Sequence, residues 1–163
     1  MKLRHLLLAS VLIFTMHTAQ SQEIKSWKLV DLKEYMDTSR GVTVINFWAT
    51  FCKPCVAEIP SFINLVEKYR GQVVTLMLVS LDLPSYYPAK IAAFASSHKF
   101  NVPIAWLNET NADFFCPIVD KSWSGSIPAT LIMNKNTGYR KFYEGELSQE
   151  EFLDALKQAG ISQ

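Results

Sequence analysis

Two cysteines separated by two residues, Cys52-Lys53-Pro54-Cys55, are the residues most capable of chemistry in this chain. One thiolate can attack a disulfide, and the other can then close a ring with it. A buried β-branched run, Val42 to Trp48, comes before the pair, and helical spacing from Lys53 to Tyr69 follows it. Cys52 is thus expected at a helix N-terminus, where unpaired backbone N–H groups and the dipole favour an anion, with Lys53 adding a cation. Both effects should lower the Cys52 pKa and make it the attacking thiol. Pro54 suits a first helical turn, and Cys55, one turn inward, would be the resolving thiol.

Glu58 is the third candidate. At about 100° per residue, Val56, Ile59, Phe62, Ile63, Leu65, Val66 and Tyr69 cover one half of the helix, with Ala57, Ser61, Asn64, Glu67 and Lys68 on the other. Glu58 falls inside the apolar half. A carboxyl group there is partly desolvated, which raises its pKa and suits it to exchange a proton with Cys55. The competing reading is a first-turn Glu that only complements the helix dipole. Pro60 should bend the same helix.

Other chemistries fit less well. A permanent structural disulfide over so small a ring would crosslink little chain. A zinc site needs a second Cys or His pair, and a c-type haem needs His where Val56 stands. No cofactor or metal is expected. A peroxiredoxin-type thiol peroxidase would want Pro and Thr ahead of the cysteine and a nearby Arg; only Thr50 matches. A copper carrier on a similar scaffold would want a wider cysteine spacing plus His. A binding domain with a vestigial pair is the third alternative. Cys116, set among Phe114, Phe115, Ile118 and Val119, reads as a buried inert thiol, with an intermolecular disulfide as its alternative.

The chain around these residues sets their context. Lys2 and Arg4, the apolar run Leu6 to Phe14, and Ala19 and Ser21 at the −3 and −1 positions make residues 1–21 a secretory signal peptide, too short for a membrane span. Residues 22–163 then form one domain. Without Lys2 and Arg4 the domain carries 14 basic and 15 acidic residues, a balance of −1 that argues against nucleic-acid or membrane-surface partners. His5 and His17 leave with the signal, so His98 is the domain's only histidine.

Strand and helix alternate along the domain. Strands are expected at Val42–Trp48, Val73–Leu81, Pro103–Leu107, Ala129–Met133 and Tyr139–Tyr143, the last two joined by a turn at Asn134–Gly138. Helices are expected at Lys53–Tyr69, Ala89–His98 and Asn111–Val119, with a last one opened by a capping box at Ser148 and Glu151 and stopped by Gly160. The pattern predicts an α/β domain with a central mixed sheet covered on both faces. Tyr86-Tyr87-Pro88 reads as loop surface.

Phe47-Trp48-Ala49-Thr50 ahead of Cys-x-Pro-Cys, with Ile127-Pro128-Ala129-Thr130 further on, resembles the TlpA/ResA-like branch of the thioredoxin superfamily over roughly residues 40–160. Phe51 departs from the Trp usual there, and Asn46 stands where cytoplasmic thioredoxins keep a buried Asp. The resemblance implies a thioredoxin fold with an insertion between its βαβ half and its ββα half, and a cis bond at Ile127–Pro128. It implies that Glu58 assists thiol protonation. It also implies a client-contacting set of Trp48, Phe51, Lys53, Pro54, Ile127 and Pro128, and Trp123-Ser124-Gly125 could line the same groove. The function it implies is a periplasmic thiol–disulfide oxidoreductase that reduces partner disulfides, apocytochrome c among the candidates in cytochrome c maturation. An upstream membrane or periplasmic reductant would regenerate it.

Overall fold

The computed structural model describes residues 22–69 and 71–162. The expected signal peptide, residues 1–21, lies outside the described residues. No described helix is long and apolar enough to cross a membrane.

Among the described residues six strands form one mixed sheet: β1 (Lys25–Trp27), β2 (Val42–Trp48), β3 (Val74–Ser80), β4 (Ile104–Leu107), β5 (Ala129–Asn134) and β6 (Tyr139–Glu144), in the order β1-β4-β3-β2-β5-β6. β2 runs parallel to β3 and antiparallel to β5, so it sits at the centre with both neighbours bonded. All seven of its residues are buried, as expected of a strand covered on both faces.

The helices are α1 (Leu29–Thr38), α2 (Lys53–Lys68), α3 (Ala89–Ser97), α4 (Ala112–Val119) and α5 (Gln149–Gln158). Alternation along β2 sends Val44 and Trp48 into the core layer that holds Ile59, Phe62 and Leu65 of α2 and Phe152 and Leu156 of α5. Ile45 and Phe47 face the opposite layer, with Leu32 of α1 and Phe115 and Val119 of α4. Phe62 and Phe152 stack at 4.0 Å, tying α2 to α5, a contact of the kind worth about 1 kcal/mol beyond its buried area. The segment between β3 and β5 supplies α3, β4 and α4, in place of a simple connection.

The expected elements all form, with ends shifted by a residue or two. Helix α2 continues through Pro60. The elements β1 and α1 were not expected. β1 is three residues long, and the inward stripe of α1 rests on Leu29, Leu32, Tyr35 and Met36, with Lys28 N–H donating to Asp31 at its start (2.7 Å). Tyr86 and Tyr87 are not open loop surface. Pro84–Tyr86 form a short 3-10 turn, and Tyr87, half-buried, stacks on Trp106 at 4.5 Å.

Candidate active site

The carboxyl end of β2 and the start of β5 bring the two expected motifs to one end of the sheet. Phe47 pairs with Ala129, so the residues after Trp48 and those before Ala129 leave the sheet side by side. Cys52 is the N-cap of α2 and forms a disulfide with Cys55, S–S 2.01 Å. Cys55 N–H donates to Cys52 Sγ at 3.3 Å, and Val56 N–H to the Cys52 carbonyl at 3.1 Å. One first-turn donor of α2, the Cys55 N–H, therefore points at the Cys52 sulfur, the placement at a helix start that the sequence predicts. Cys52 is less open than expected, 7% exposed, but Cys55 is wholly buried, so an incoming sulfur can reach only Cys52.

Glu58 is buried against Asn46, not spread on the helix surface. Asn46 Nδ2 donates to its Oε1 at 2.8 Å, and the Leu147 N–H donates to its Oε2 at 3.0 Å. Burial raises its pKa to about 7, an effect that these two donors oppose and nearby Glu146 reinforces. A carboxyl group that titrates near neutrality, one helical turn beyond Cys55, can hold or release a proton as a thiol requires.

The client-contacting set divides. Phe51 is 65% exposed beside Cys52, Lys53 is exposed and Pro54 half-buried. The Ile127–Pro128 bond is cis, with Pro128 buried and Ile127 half-buried against the core layer that contains both cysteines. Trp48 is a correction: it is wholly buried, with Phe100 edge-on at 5.5 Å and Phe94 at 6.0 Å, because it lies two residues from Asn46 on the covered face of β2. Trp123 is likewise core, packed on Phe47 at 4.6 Å with its indole N–H donating to Ser126 O.

Two carboxylates that the sequence did not single out hold the loops around the disulfide. Asp82, just past β3 and buried, accepts from the Thr50 N–H (3.1 Å to each oxygen), the Thr50 hydroxyl (2.6 Å) and the Ser80 hydroxyl (2.8 Å). Glu144, at the end of β6, accepts from Ser124 and from the Ser126 N–H, fixing the stretch ahead of Ile127. Ser80-x-Asp82 at a strand end was the only local signal for the first. Glu144 had none.

Comparison with known proteins gives the family and the fold. A sequence model of the AhpC/TSA family matches residues 14–139. The thiol-disulfide oxidoreductase ResA of Geobacillus thermodenitrificans is 26% identical over 69% of this chain, which spans only 60% of that relative's length. ResA of Geobacillus kaustophilus is 27% identical over 79% of this chain and 73% of its own. Among solved structures, a thioredoxin-related protein from Neisseria meningitidis serogroup B superposes with a TM-score of 0.64 at 25% identity, covering 76% of this chain and 88% of that one. A secreted Mycobacterium tuberculosis disulfide oxidoreductase, TM-score 0.56 at 17% identity over 76% of this chain and 85% of that one, shares the fold. The fold is thioredoxin-like. With the family model matching well over half its length, the chain belongs to the AhpC/TSA family.

Proposed function

We propose that this chain is an exported thiol–disulfide oxidoreductase that reduces disulfides in partner proteins of the periplasm. The observation that carries the reading is Glu58, buried one turn beyond the resolving cysteine and titrating near neutrality. A permanent structural crosslink has no use for a proton acceptor there.

In the reduced state the Cys52 thiolate attacks one sulfur of a client disulfide. A Cys52–client bond forms and the client's other sulfur leaves as a thiolate. Cys55 then gives its proton to Glu58 and attacks the Cys52 sulfur, which frees the second client thiol and forms the Cys52–Cys55 disulfide. Two electrons pass to the client. An upstream membrane or periplasmic dithiol donor returns two electrons to the pair. Phe51, Lys53, Pro54, Ile127 and Pro128 surround the exchange and would bear on the client backbone and side chains. Apocytochrome c, whose haem-binding cysteines must be reduced before haem attachment, is a client of suitable chemistry. Residues 1–21 supply the export signal.

The family name raises a thiol peroxidase as the second reading. Here the Thr50 hydroxyl is bonded to Asp82 and the candidate peroxidatic thiol has its partner three residues away. Redox titration against glutathione separates direction: a potential at or below about −270 mV marks a reductant, and one near −120 mV an oxidant. Trapping with Cys55→Ser should capture a client as a mixed disulfide on Cys52. Failure to capture any protein from the native compartment, together with consumption of peroxide, would replace the reductase reading with the peroxidase one.

A further inference from the structure

Asn46, Glu58 and Thr130 meet behind the disulfide, and one of their atoms is idle. Asn46 leaves the centre of β2 toward α2. Its Nδ2 donates to Glu58 Oε1 at 2.8 Å and to Thr130 Oγ1 at 3.0 Å. Asn46 and Thr130 are wholly buried, and among the described residues Asn46 Oδ1 has no hydrogen-bond partner. Buried amide oxygens are rarely left without a donor. This one belongs to the amide that contacts the titrating carboxyl group.

The fixed donors decide where a proton on Glu58 can sit. Oε2 accepts from the Leu147 N–H, a backbone group that can never turn acceptor. The oxygen left for the proton is Oε1, the one against Asn46 Nδ2. Protonation there sets a donor against a donor. A half-turn of the Asn46 amide removes the conflict. Oδ1 then accepts from the Glu58 O–H, and the Thr130 hydroxyl, an acceptor in the structure, becomes a donor to the same oxygen. A hydroxyl serves either role. Both hydrogen bonds survive with their polarity reversed.

We propose that Asn46, together with Thr130, is a positioning residue whose amide reverses when Glu58 takes up a proton, so that the acid and the carboxylate are held in one place. The inference rests on the reading of Glu58 as the proton acceptor for Cys55. Only a proton moves: it leaves the Cys55 thiol, bonds to Glu58 Oε1, and departs to solvent before the next cycle. The other elements around Glu58 contribute Glu146, from the connection between β6 and α5, and Glu151 of α5, which line the same cleft. Both are acidic, and Glu146 favours the protonated form. From the sheet the contacting group is the neutral Asn46, itself bonded to the neutral Thr130.

The test is side-chain NMR on the intact reduced protein. The Glu58 carboxyl carbon reports its protonation, and the Asn46 amide protons report their contact with the Thr130 methyl group. The expected result is one shared midpoint for both signals, with the amide–methyl contact present on the alkaline side and lost on the acid side. In Glu58→Gln the Leu147 N–H holds the new amide oxygen, so its NH2 faces Asn46 and the Asn46 amide should stand reversed at every pH. An Asn46 amide that stays still while Glu58 titrates, or that keeps its original orientation in Glu58→Gln, overturns the proposal. A Glu58 that does not titrate across the neutral range overturns the proton-acceptor reading instead, and the orientation in Glu58→Gln still decides the role of Asn46.

Discussion

Asp82 grips Thr50 by both its N–H and its hydroxyl, and Thr50 is two residues ahead of the attacking cysteine. The carboxylate is buried and its partners are neutral donors from Thr50 and Ser80. Such charge-assisted bonds are stronger than neutral ones, and they set the path of the chain between β2 and α2. Asp82→Ala leaves the Thr50 N–H and two hydroxyls without their acceptor. The expected cost is about 1–3 kcal/mol in chemical denaturation. The disulfide-exchange rate should fall as well, because Cys52 loses its fixed place at the helix end. A variant with unchanged stability and rate would show that the loop holds itself.

Glu58 makes stability fall as pH rises. Its ordinary pKa of 4.5 becomes about 7 in the folded chain, so between those values the folded state binds more protons than the unfolded one. The favourable contribution is complete below about pH 4.5 and is lost as pH climbs through about 7, amounting to up to about 3 kcal/mol. Glu58→Gln carries no charge to desolvate. It should match the parent near pH 4.5 and exceed its stability at pH 8, as measured by denaturant titration at the two pH values. The same variant should slow the resolving step by about a hundredfold and remove its inflection near neutrality. A parallel pH dependence in both proteins would place the titration elsewhere.

Much of this site was legible because its signals are local. The Cys52–Cys55 spacing, the Ser148/Glu151 capping box and the place of Glu58 in the apolar half of α2 each lie within one or two helical turns. Asp82 and Glu144 were not legible as loop clamps, since Thr50 and Ser124, the loop residues they hold, are 32 and 20 residues away and meet them only through the sheet. The misplacement of Trp48 came from carrying over the client-contacting set that the resemblance implies, against the buried strand in which the sequence already placed it. Strand alternation puts it on the side of Val44 and Asn46, and both faces of this sheet are covered. The short β1 and the sparse stripe of α1 carry too few apolar residues to stand out from a loop.

Phe51 and Trp48 therefore make an opposed pair of tests. Phe51 is 65% exposed beside Cys52, and Phe51→Ser should change stability by no more than about 0.5 kcal/mol while raising KM for a protein client. Trp48→Ala empties a fully buried site next to Phe100 and Phe94 and should cost about 3–5 kcal/mol. Denaturation midpoints and steady-state kinetics on both variants check the division. Equal KM for parent and Phe51→Ser would remove Phe51 from the client surface.

Glu144 is tested through binding. Its carboxylate accepts from Ser124 and Ser126, and the Ser124 hydroxyl, more than any other group, draws its pKa below the ordinary value. A depressed pKa means that the clamp is complete above about pH 4.5 and loosens as pH falls further. Glu144 is exposed, so solvent screening keeps its effect on global stability small. Glu144→Ala should free the stretch that presents Ile127, raising KM several-fold with kcat and the reduction potential unchanged. A shifted potential with an unaltered KM would mean that Glu144 acts on the cysteines rather than on the client loop.

Cys116 is expected to stand outside the redox cycle. It is 3% exposed in α4, in the core layer with Phe115, Val119 and Trp123, and burial, aided by Glu144 and Asp113, pushes its thiol up to about 11. The reactive species is the thiolate, so at neutral pH almost none is present, and an alkylating reagent must also reach it. Timed alkylation of the reduced native protein, followed by mass spectrometry, should label Cys52 first. Cys116 should be labelled only under unfolding conditions. Cys116→Ala should retain the parent exchange rate and potential. Native labelling of Cys116 as fast as Cys52, or a changed potential in Cys116→Ala, would bring the third cysteine into the chemistry.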